Sequence, residues 1–393
     1  MTKLAALIAA SLLSTVALAQ GYPNRPVRVI VPWPPGQATD IAARVVAEKL
    51  QQALKQPFII DNRAGAGGSI GTDAAVKSAP DGYTLLAASS GPISIMPHLQ
   101  KTPYDPDRDF APISLVALVP FALVTHPSFP ATNAKEFIAH LRANPDKYTF
   151  SSSGTGASAH LITELFNSMA QVKARHVPYK GSAPALTDIV GGQIGYTIET
   201  LAATIGHIKG GRLKTFGTSF AQRTAGMPDV PSIAEAADLP AYDIGAWVGY
   251  TAPAGTSRET CVRLSGEIQK AMQASDLKER FISLGMDAVS NTPDEMAAFM
   301  RAQQERYGSI IKSQNIKIEQ LAWRSSAFPV RLAPRSSGWI SGETSQTRPS
   351  RRSGAPSSST WWCSFTTSRS PPTSSWPLHG AWANRSNTRS SRA

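Results

Sequence analysis

The chain has 393 residues and a formal net charge of +12, with seven histidines and two cysteines. Most of the charge belongs to residues 321–393, which hold ten arginines, no lysine and a single acid, Glu343. Residues 1–320 are therefore nearly neutral and lack the basic field that nucleic-acid binding requires. The two cysteines are too few for a zinc or iron–sulfur signature, and we expect Cys261 to be a small core residue.

The N-terminus has the pattern of a secretory signal peptide. Lys3 precedes an apolar stretch over residues 4–18, and Ala-Leu-Ala at 17–19 is a typical cleavage site. No cysteine follows this site, and no later stretch reaches the roughly 20 apolar residues of a membrane span. We expect a signal peptide at 1–19 and a mature protein in the periplasm.

The next part of the chain alternates short apolar runs with amphipathic helices. Strands are predicted at Val27–Val31, 58–60 and 84–88, with helices at 41–54 and 70–77 between them. This alternation predicts a mainly parallel sheet that is covered on both faces.

An apolar run at 111–125 is broken by Pro120 and predicts two strands, of which the second leaves the first lobe. A second α/β series follows, and a strand at 244–252 returns to the first lobe. Two crossings of this kind are typical of a hinged clamp. We predict lobe 1 at 20–124 and 245–319, and lobe 2 at 125–244.

The C-terminal segment differs from the rest of the chain. Residues 321–393 hold 19 serines and six of the eight tryptophans, without a helical or strand period. This composition predicts a disordered or poorly folded tail at 320–393. Two interpretations stay open: a basic arm that contacts membrane lipid, or a reading-frame shift near residues 319–320.

Three strand-to-helix turns have the composition of anion sites. The first is Pro-Pro-Gly-Gln-Ala-Thr-Asp at 34–40, where a helix is expected to start near Thr39. Free N–H groups and the helix dipole favour an anion at such a position, beyond the carboxyl end of a strand. An ordinary turn capped by Thr39 explains the same spacing equally well.

The other two turns belong to the second lobe. Ser-Gly-Thr-Gly-Ala at 153–157 lets backbone and hydroxyl donors approach a ligand closely, and His160 follows in the first helical turn. In Tyr-Lys-Gly-Ser at 179–182, Lys180 either binds a carboxylate or lies on the surface. Glu199 ends the following strand and would repel an anion unless it meets a ligand amine, hydroxyl or water.

Catalytic signatures are scarce. The chain lacks G-x-S-x-G, H-E-x-x-H and a Cys/His ligand cluster. The glycine-rich stretch at 62–71 lacks the third glycine of a dinucleotide loop and the Gly-Lys-Ser/Thr of a P-loop. A hydrolase or isomerase remains an alternative, with Ser153 and His160 as nucleophile and base, but we expect no enzyme, no metal and no cofactor.

Several short motifs occur in one order along the chain. They are Tyr-Pro-Asn-Arg-Pro (22–26), Val-Pro-Trp-Pro-Pro-Gly (31–36), Asp-Asn-Arg-Ala-Gly-Ala-Gly-Gly (61–68), Ala-Pro-Asp-Gly-Tyr-Thr-Leu (79–85), Tyr-Asp-Pro (104–106), His-Val-Pro-Tyr-Lys-Gly-Ser (176–182), Asp-Val-Pro-Ser (229–232) and Ala-Pro-Ala-Gly-Thr (252–256). Together they resemble the Bug (TctC-like) solute receptors of tripartite tricarboxylate transporters, over residues 22–319.

The resemblance implies a type II periplasmic-binding-protein fold, an α/β class in which a hinge joins two lobes around a ligand cleft. It implies a periplasmic receptor that delivers a small carboxylate to membrane transporter subunits. The ligand would be a di- or tricarboxylate, an acidic amino acid or an aromatic acid. A sensor that docks to a membrane kinase is the alternative on the same fold. We expect a monomer.

The resemblance also assigns the ligand-binding residues to the three turns, to which Ser90, His160 and Glu199 are added. The predicted set is Pro35, Gly36, Gln37, Ala38, Thr39, Asp40, Ser90, Ser153, Gly154, Thr155, Gly156, Ala157, His160, Tyr179, Lys180, Gly181, Ser182 and Glu199. Gln37 replaces the family's usual second glycine, and Glu199-Thr200 replaces a segment that usually ends Asp-Asn. These departures leave the particular ligand open.

Overall fold

The structure is a computed structural model that describes residues 21–316. The predicted signal peptide at 1–19 and the predicted tail at 320–393 lie outside the described residues. Within 21–316 the chain forms two sheets, of six and five strands, each covered by helices. We call the six-stranded sheet and its helices lobe 1, and the five-stranded sheet and its helices lobe 2. The predicted pair of α/β lobes is thus confirmed.

The strands of the described residues are numbered in chain order. They are β1 Val27–Val31, β2 Phe58–Asn62, β3 Thr84–Ser89, β4 Phe110–Val119, β5 Phe121–Thr125, β6 Thr149–Ser152, β7 Arg175–Pro178, β8 Tyr196–Thr200, β9 Lys214–Thr218, β10 Ala246–Pro253 and β11 Asp287–Ala288. Lobe 1 has the strand order β11-β4-β10-β3-β1-β2, and lobe 2 has the order β7-β6-β8-β5-β9.

The helices are numbered in the same way. They are α1 Ala38–Leu54, α2 Ser69–Val76, α3 Met96–Leu99, α4 Ala134–Ala143, α5 Ser158–Met169, α6 Ser182–Val190, α7 Leu201–Lys209, α8 Ile233–Ala236, α9 Arg258–Gln273, α10 Ser275–Ser283 and α11 Pro293–Ser313. A 3-10 turn at Ala66–Gly68 and a π-helical turn at Gly91–Ile95 complete the set. No helix within 21–316 combines the length and the apolar character that a bilayer crossing needs.

The centre of lobe 1 is the parallel group β2-β1-β3. The β-branched residues Val29, Ile30 and Val31 of β1 are fully buried, although successive side chains point to opposite faces of the sheet. A strand buried on both faces requires helices on both sides, as the alternating sequence predicts. Helix α1 covers one side, with buried residues at a helical period along its length.

Lobe 2 encloses an aromatic core. The ring of Phe137 on α4 stacks on Phe216 of β9 at 4.9 Å and meets Tyr196 of β8 edge-on at 5.3 Å. In its sheet, β6 runs parallel to β7 and β8, whereas β5 is antiparallel to β8 and β9. The carboxyl ends of β6 and β8 therefore meet at the same edge of the sheet.

The change of lobe after β4 falls at Pro120. Strand β4 pairs with β10 in lobe 1, whereas β5 pairs with β8 and β9 in lobe 2. The predicted boundary after residue 124 kept β5 in lobe 1, and the pairing moves the crossing to Pro120. Proline has no backbone N–H to continue a strand ladder, so the two strands separate there.

Helix α11 ties the end of the described chain to both lobes. Thr292 caps it in a capping box with Glu295. The Tyr307 hydroxyl donates to the carbonyl of Gly245, just before β10, and Ser168 of α5 donates to Gln314 beyond the helix end. The segment before β10, where the chain returns from lobe 2 to lobe 1, is thereby packed against α11.

Candidate ligand-binding site

A cavity lies between the two lobes. The space among its lining residues is about 380 Å³, a figure that includes the open mouth. The lining residues are Trp33, Gln37, Ala38, Thr39 and Ser89 from lobe 1, Ser153, Ala157, Ser158, Ala159, Glu199 and Thr200 from lobe 2, and Val119, Phe121, Ala246, Trp247 and Val248 from the two crossings. The site therefore exists only where both lobes are present.

Two helix N-termini reach this cavity from opposite lobes. Helix α1 begins after the N-cap Gln37, and α5 begins after the N-cap Ala157. Neither N-cap side chain makes a capping hydrogen bond, and both N-caps line the cavity. The first N–H groups of a helix have no partner within the helix, and the dipole gives that end a partial positive charge. The two ends together favour an anionic guest.

Four lining side chains carry a buried polar atom that has no hydrogen-bond partner among the described residues. The atoms are Gln37 Nε2, Glu199 Oε2, Thr200 Oγ1 and Trp247 Nε1. Buried polar groups are almost always paired, because each unpaired one costs about 1–3 kcal/mol. Their concentration around one cavity indicates a space that a polar ligand or water fills.

Glu199 is the one charged residue in the lining of this cavity, and it is 1% exposed. Its Oε1 accepts a hydrogen bond of 2.8 Å from the backbone N–H of Thr200. Burial raises the pKa of Glu199, whereas the Thr200 amide and the hydroxyls of Ser182 and Ser153 act to lower it. The net direction is upward, because the effect of burial on the pKa exceeds that of these donors.

The predicted site residues fall into two groups. Those that line the cavity are Gln37, Ala38, Thr39, Ser153, Ala157 and Glu199. Those outside the lining are Pro35, Gly36, Asp40, Ser90, Gly154, Thr155, Gly156, His160, Tyr179, Lys180, Gly181 and Ser182. Ligand contact stays a prediction for both groups, but the structure gives several of the second group internal partners.

Asp40 stabilises the first turn, at 34–40, through hydrogen bonds to its carboxylate. Its carboxylate accepts hydrogen bonds from the Gly36 amide at 2.9 Å, Asn62 Nδ2 at 2.8 Å and Arg44 Nε at 3.0 Å. Burial on its own would raise the pKa of Asp40, but these bonds outweigh it and lower the pKa. The side chain is 3% exposed, so this network fixes the N-terminus of α1 instead of meeting a ligand.

His160 stabilises the second turn, at 153–157, through a hydrogen bond from the backbone of that turn. Its Nδ1 accepts a bond of 3.3 Å from the Gly156 amide, and its ring stacks on His176 at 4.0 Å. His176 Nε2 in turn lies 2.6 Å from the Ser152 hydroxyl, which receives the Gly154 amide at 3.2 Å. The two histidines therefore shape the backbone of the 153–157 turn.

Ser90 and Tyr179 also have structural partners. The Ser90 hydroxyl accepts a bond of 2.8 Å from the backbone N–H of Trp247, so it positions a lining residue. The Tyr179 hydroxyl donates to Asp188 at 2.5 Å, while Lys180 is exposed. Ser90 therefore acts on the cavity through Trp247.

Turns of opposite lobes contact each other closely at three glycines. A methyl group built on Gly156 would lie 2.0 Å from Met96 Sδ, and one built on Gly181 would lie 3.0 Å from Pro34 Cγ. A methyl group on Gly67 would lie 2.9 Å from the Thr155 carbonyl. The lobes therefore meet closely through glycine, and Gly67 of the glycine-rich stretch belongs to the lobe interface.

Comparison with known proteins agrees with this geometry. Residues 42–316 match the family described as "Tripartite tricarboxylate transporter family receptor". The chain belongs to the TctC family. It is 38% identical to BugT of Bordetella pertussis over 306 residues, which cover 77% of this chain and 93% of BugT. The predicted resemblance to Bug receptors is thus confirmed.

Solved structures share the fold. Rpa4515 of R. palustris with adipate is 31% identical, with a TM-score of 0.73, and the match covers 76% of this chain and 99% of Rpa4515. MatC of Rhodopseudomonas palustris with bound malate is 30% identical, with a TM-score of 0.70 and coverage of 74% and 100%. The type II periplasmic-binding-protein fold predicted for this TctC-family chain is confirmed.

Sequence reasoning missed the floor of the cavity. Val119 and Phe121 flank Pro120 at the first crossing, and Ala246, Trp247 and Val248 begin the strand after the second. Both crossings were predicted, and strands that connect two lobes necessarily pass beneath the cleft between them. That topological signal was available in the sequence, whereas the bond of 2.8 Å from the Trp247 backbone N–H to the Ser90 hydroxyl was not.

Proposed function

We propose that this TctC-family chain is a periplasmic receptor that captures a small carboxylate between its lobes and delivers it to a tripartite tricarboxylate-type membrane transporter. The carrying observation is that two uncapped helix N-termini, from α1 and α5, line one cavity from opposite lobes. The adipate and malate bound by the solved relatives are small carboxylates, which supports the same ligand class here.

A binding role without catalysis is supported by the arrangement around Ser153. Ser153 lines the cavity, but His160 does not, and its Nδ1 is engaged by the Gly156 amide. A general base must reach the proton that it removes, directly or through one water. Burial also lowers the pKa of His160 to about 4, which makes it a poor base near neutral pH.

Delivery to a transporter and a periplasmic location are supported by family membership and by the signal-peptide pattern at 1–19. In this fold the two crossings act as a hinge, and closure around a guest changes the surface that a membrane partner meets.

Thermal unfolding of the mature chain against a panel of mono-, di- and tricarboxylates, aromatic acids and amino acids tests the binding function. An acid that binds and is present at about 100 times its dissociation constant adds about 2.7 kcal/mol to the free energy of unfolding. We expect at least one small carboxylate to raise the midpoint and neutral sugars to leave it unchanged. A panel in which no acid raises the midpoint would refute the proposal.

Closure should depend on the glycine at position 156. In Gly156→Ala, the new methyl group overlaps Met96 Sδ at 2.0 Å, so Met96 must move or the lobes must stay partly open. We expect the best acid of the panel to bind about tenfold more weakly, a loss of about 1.4 kcal/mol, measured by titration calorimetry.

Gly211→Ala is the matched control for this variant. Gly211 and Gly156 both have positive φ, +66° and +76°, but a methyl group on Gly211 meets nothing within 4 Å. The control therefore carries the backbone strain without the clash, and we expect it to keep the wild-type affinity. Addition of Met96→Ala to Gly156→Ala should restore affinity. Equal losses in Gly211→Ala and Gly156→Ala would contradict a role in closure.

A further inference from the structure

The cavity lining contains an acidic side chain that a carboxylate ligand has to approach. Glu199 lies at the carboxyl end of β8, the middle strand of lobe 2, and is 1% exposed. The described residues that line the cavity include no Lys, Arg or His. Two helix N-termini, each equivalent to roughly half a positive charge, together balance about one carboxylate. An ionised Glu199 beside an ionised guest would therefore leave one negative charge without a balancing partner.

The neighbours of Glu199 suit a neutral carboxyl group. The Thr200 amide donates to Oε1 at 2.8 Å, and a protonated carboxyl accepts this bond through its carbonyl oxygen. The hydroxyls of Ser153 and Ser182 lie close enough to affect the pKa, and a hydroxyl can accept from an O–H as well as donate. Burial has the largest effect and raises the pKa of Glu199. A buried carboxyl without a cationic partner is neutralised instead of staying charged.

We propose that Glu199 binds the ligand in its protonated form, so that capture of a carboxylate by this chain is coupled to a proton on Glu199 Oε2. This inference rests on the proposed function. Oε2 carries the proton because Oε1 accepts the Thr200 amide, whereas Oε2 is buried and makes no hydrogen bond within the described residues. The O–H group donates into the cavity, where the ligand carboxylate lies at the N-termini of α1 and α5.

The ligand itself strengthens the hold on this proton. A carboxylate that approaches a carboxyl group raises its pKa, because two like charges at close range cannot both be ionised without a large cost. Glu199 therefore binds its proton more tightly in the occupied protein than in the empty one. At a pH where the empty protein has begun to lose the proton, binding of the acid must take a proton up.

Other titratable groups near β8 lie outside the cavity lining. The paired strands β5 and β6 carry none. The helices packed on β8 and the turn before α6 carry His160, Glu164, Tyr179, Lys180, Asp188, His207 and Lys209. On the side of lobe 1, Asp40 is paired with Arg44. Burial lowers the pKa of His160 to about 4 and raises that of Tyr179 to about 12, so neither changes its charge between pH 6 and pH 9.

The pH dependence of ligand affinity tests the proposal. The probe is the acid that raises the unfolding midpoint most, with adipate and malate tried first, titrated into the mature chain by calorimetry between pH 6 and pH 9. A carboxyl group with an ordinary pKa of about 4 is ionised throughout this range, so the probe itself contributes no change. We expect the affinity of the wild type to fall at least about tenfold towards pH 9, because only the protonated protein binds the acid tightly.

Glu199→Gln is the matched variant, because glutamine has the shape of a protonated glutamate and keeps an N–H donor at every pH. We expect it to bind the probe within about threefold of the wild type at pH 6, and to change by less than about threefold up to pH 9. Asp229→Asn removes an exposed acid of lobe 2 outside the lining, and it should keep the pH dependence of the wild type. The two variants separate the proton on Glu199 from a change in net charge.

A proton count on the wild type does not depend on any variant. Calorimetry in buffers of different ionisation enthalpy, at the pH where the affinity falls most steeply, measures how many protons accompany binding. We expect the wild type to take up protons when it binds the probe. This measurement keeps the proposal testable if Glu199→Gln does not fold.

The outcomes separate this inference from the proposed function. A wild-type affinity that stays constant from pH 6 to pH 9, or binding without proton uptake, would overturn the inference and leave the carboxylate receptor standing. A pH dependence that persists in Glu199→Gln would overturn it as well, because another group would then carry the proton. If no acid of the panel binds, the proposed function fails and the inference falls with it.

Discussion

Replacement of Asp40 by asparagine is expected to lower the free energy of unfolding by about 2–3 kcal/mol, because it breaks a buried, charge-assisted network. The carboxylate receives the Gly36 amide, Asn62 and Arg44, at distances of 2.8–3.0 Å. An asparagine side chain keeps one acceptor oxygen and turns an NH₂ group towards at least one of these donors. Urea unfolding at pH 7 measures the loss.

Arg44→Gln is the control for Asp40→Asn. The Arg44 side chain is 52% exposed, and a partner exposed to this extent contributes only about 0–1 kcal/mol. We therefore expect a much smaller loss for Arg44→Gln than for Asp40→Asn. If the two variants lose the same free energy, the bonds from Gly36 and Asn62 do not stabilise the turn.

The pH range in which Asp40 stabilises the fold follows from the direction of its pKa shift. Its folded-state pKa is lower than the ordinary value of 3.8, so its contribution to stability is present above that value and is lost as the pH falls through the folded-state pKa. The difference between wild type and Asp40→Asn should therefore be constant at neutral pH and shrink only in strong acid.

Acidification from pH 7 to pH 5 is expected to cost the protein about 2–4 kcal/mol of stability through His160 and His176. Burial lowers the pKa of His160 to about 4, and burial together with the adjacent His160 lowers that of His176 to about 3. The rings stack at 4.0 Å, and protonation of His160 Nδ1 would also break its bond from the Gly156 amide.

The sign of this pH dependence follows from proton linkage. Both folded-state pKa values lie below the ordinary value of 6.5. Between these values the unfolded chain binds more protons than the folded chain, so stability is complete above about pH 6.5 and falls as the pH decreases. Urea unfolding at several pH values between 4 and 8 measures the slope.

His176→Phe tests the assignment of this slope to the stacked pair. Phenylalanine keeps a ring against Phe150 and His160 but cannot be protonated, so the variant should lose less stability between pH 7 and pH 5. His126→Gln removes a lobe 2 histidine that lies outside the stack, and it should keep the wild-type slope. A wild-type slope in His176→Phe would contradict the assignment.

The helix N-termini of the site were predictable because local chemistry determines them. The prolines and glycine at 34–36 end β1 and start α1, and the small residues at 153–157 do the same for β6 and α5. The order of strands and helices was enough to place both turns at the carboxyl ends of strands, because in a parallel βαβ unit each helix begins after a strand has ended.

Individual side chains in those turns were less predictable. Asp40 and His160 belong to the predicted segments. Their side chains accept hydrogen bonds from the backbone amides of Gly36 and Gly156, and neither residue lines the cavity. Sequence spacing identifies which residues are near a turn, whereas the direction of a side chain depends on partners such as Asn62 and His176, which come from other strands.

The sequence by itself determined the two α/β lobes, the family and the two strand-to-helix turns, because these follow from periodicity, turn residues and ordered motifs. Only the tertiary structure decided that β5 belongs to lobe 2, that Trp247 lies under the cleft and that Glu199 is buried in the lining of the cavity. These features depend on contacts between residues far apart in the chain, and local propensity carries no information about which distant groups will satisfy a buried polar atom.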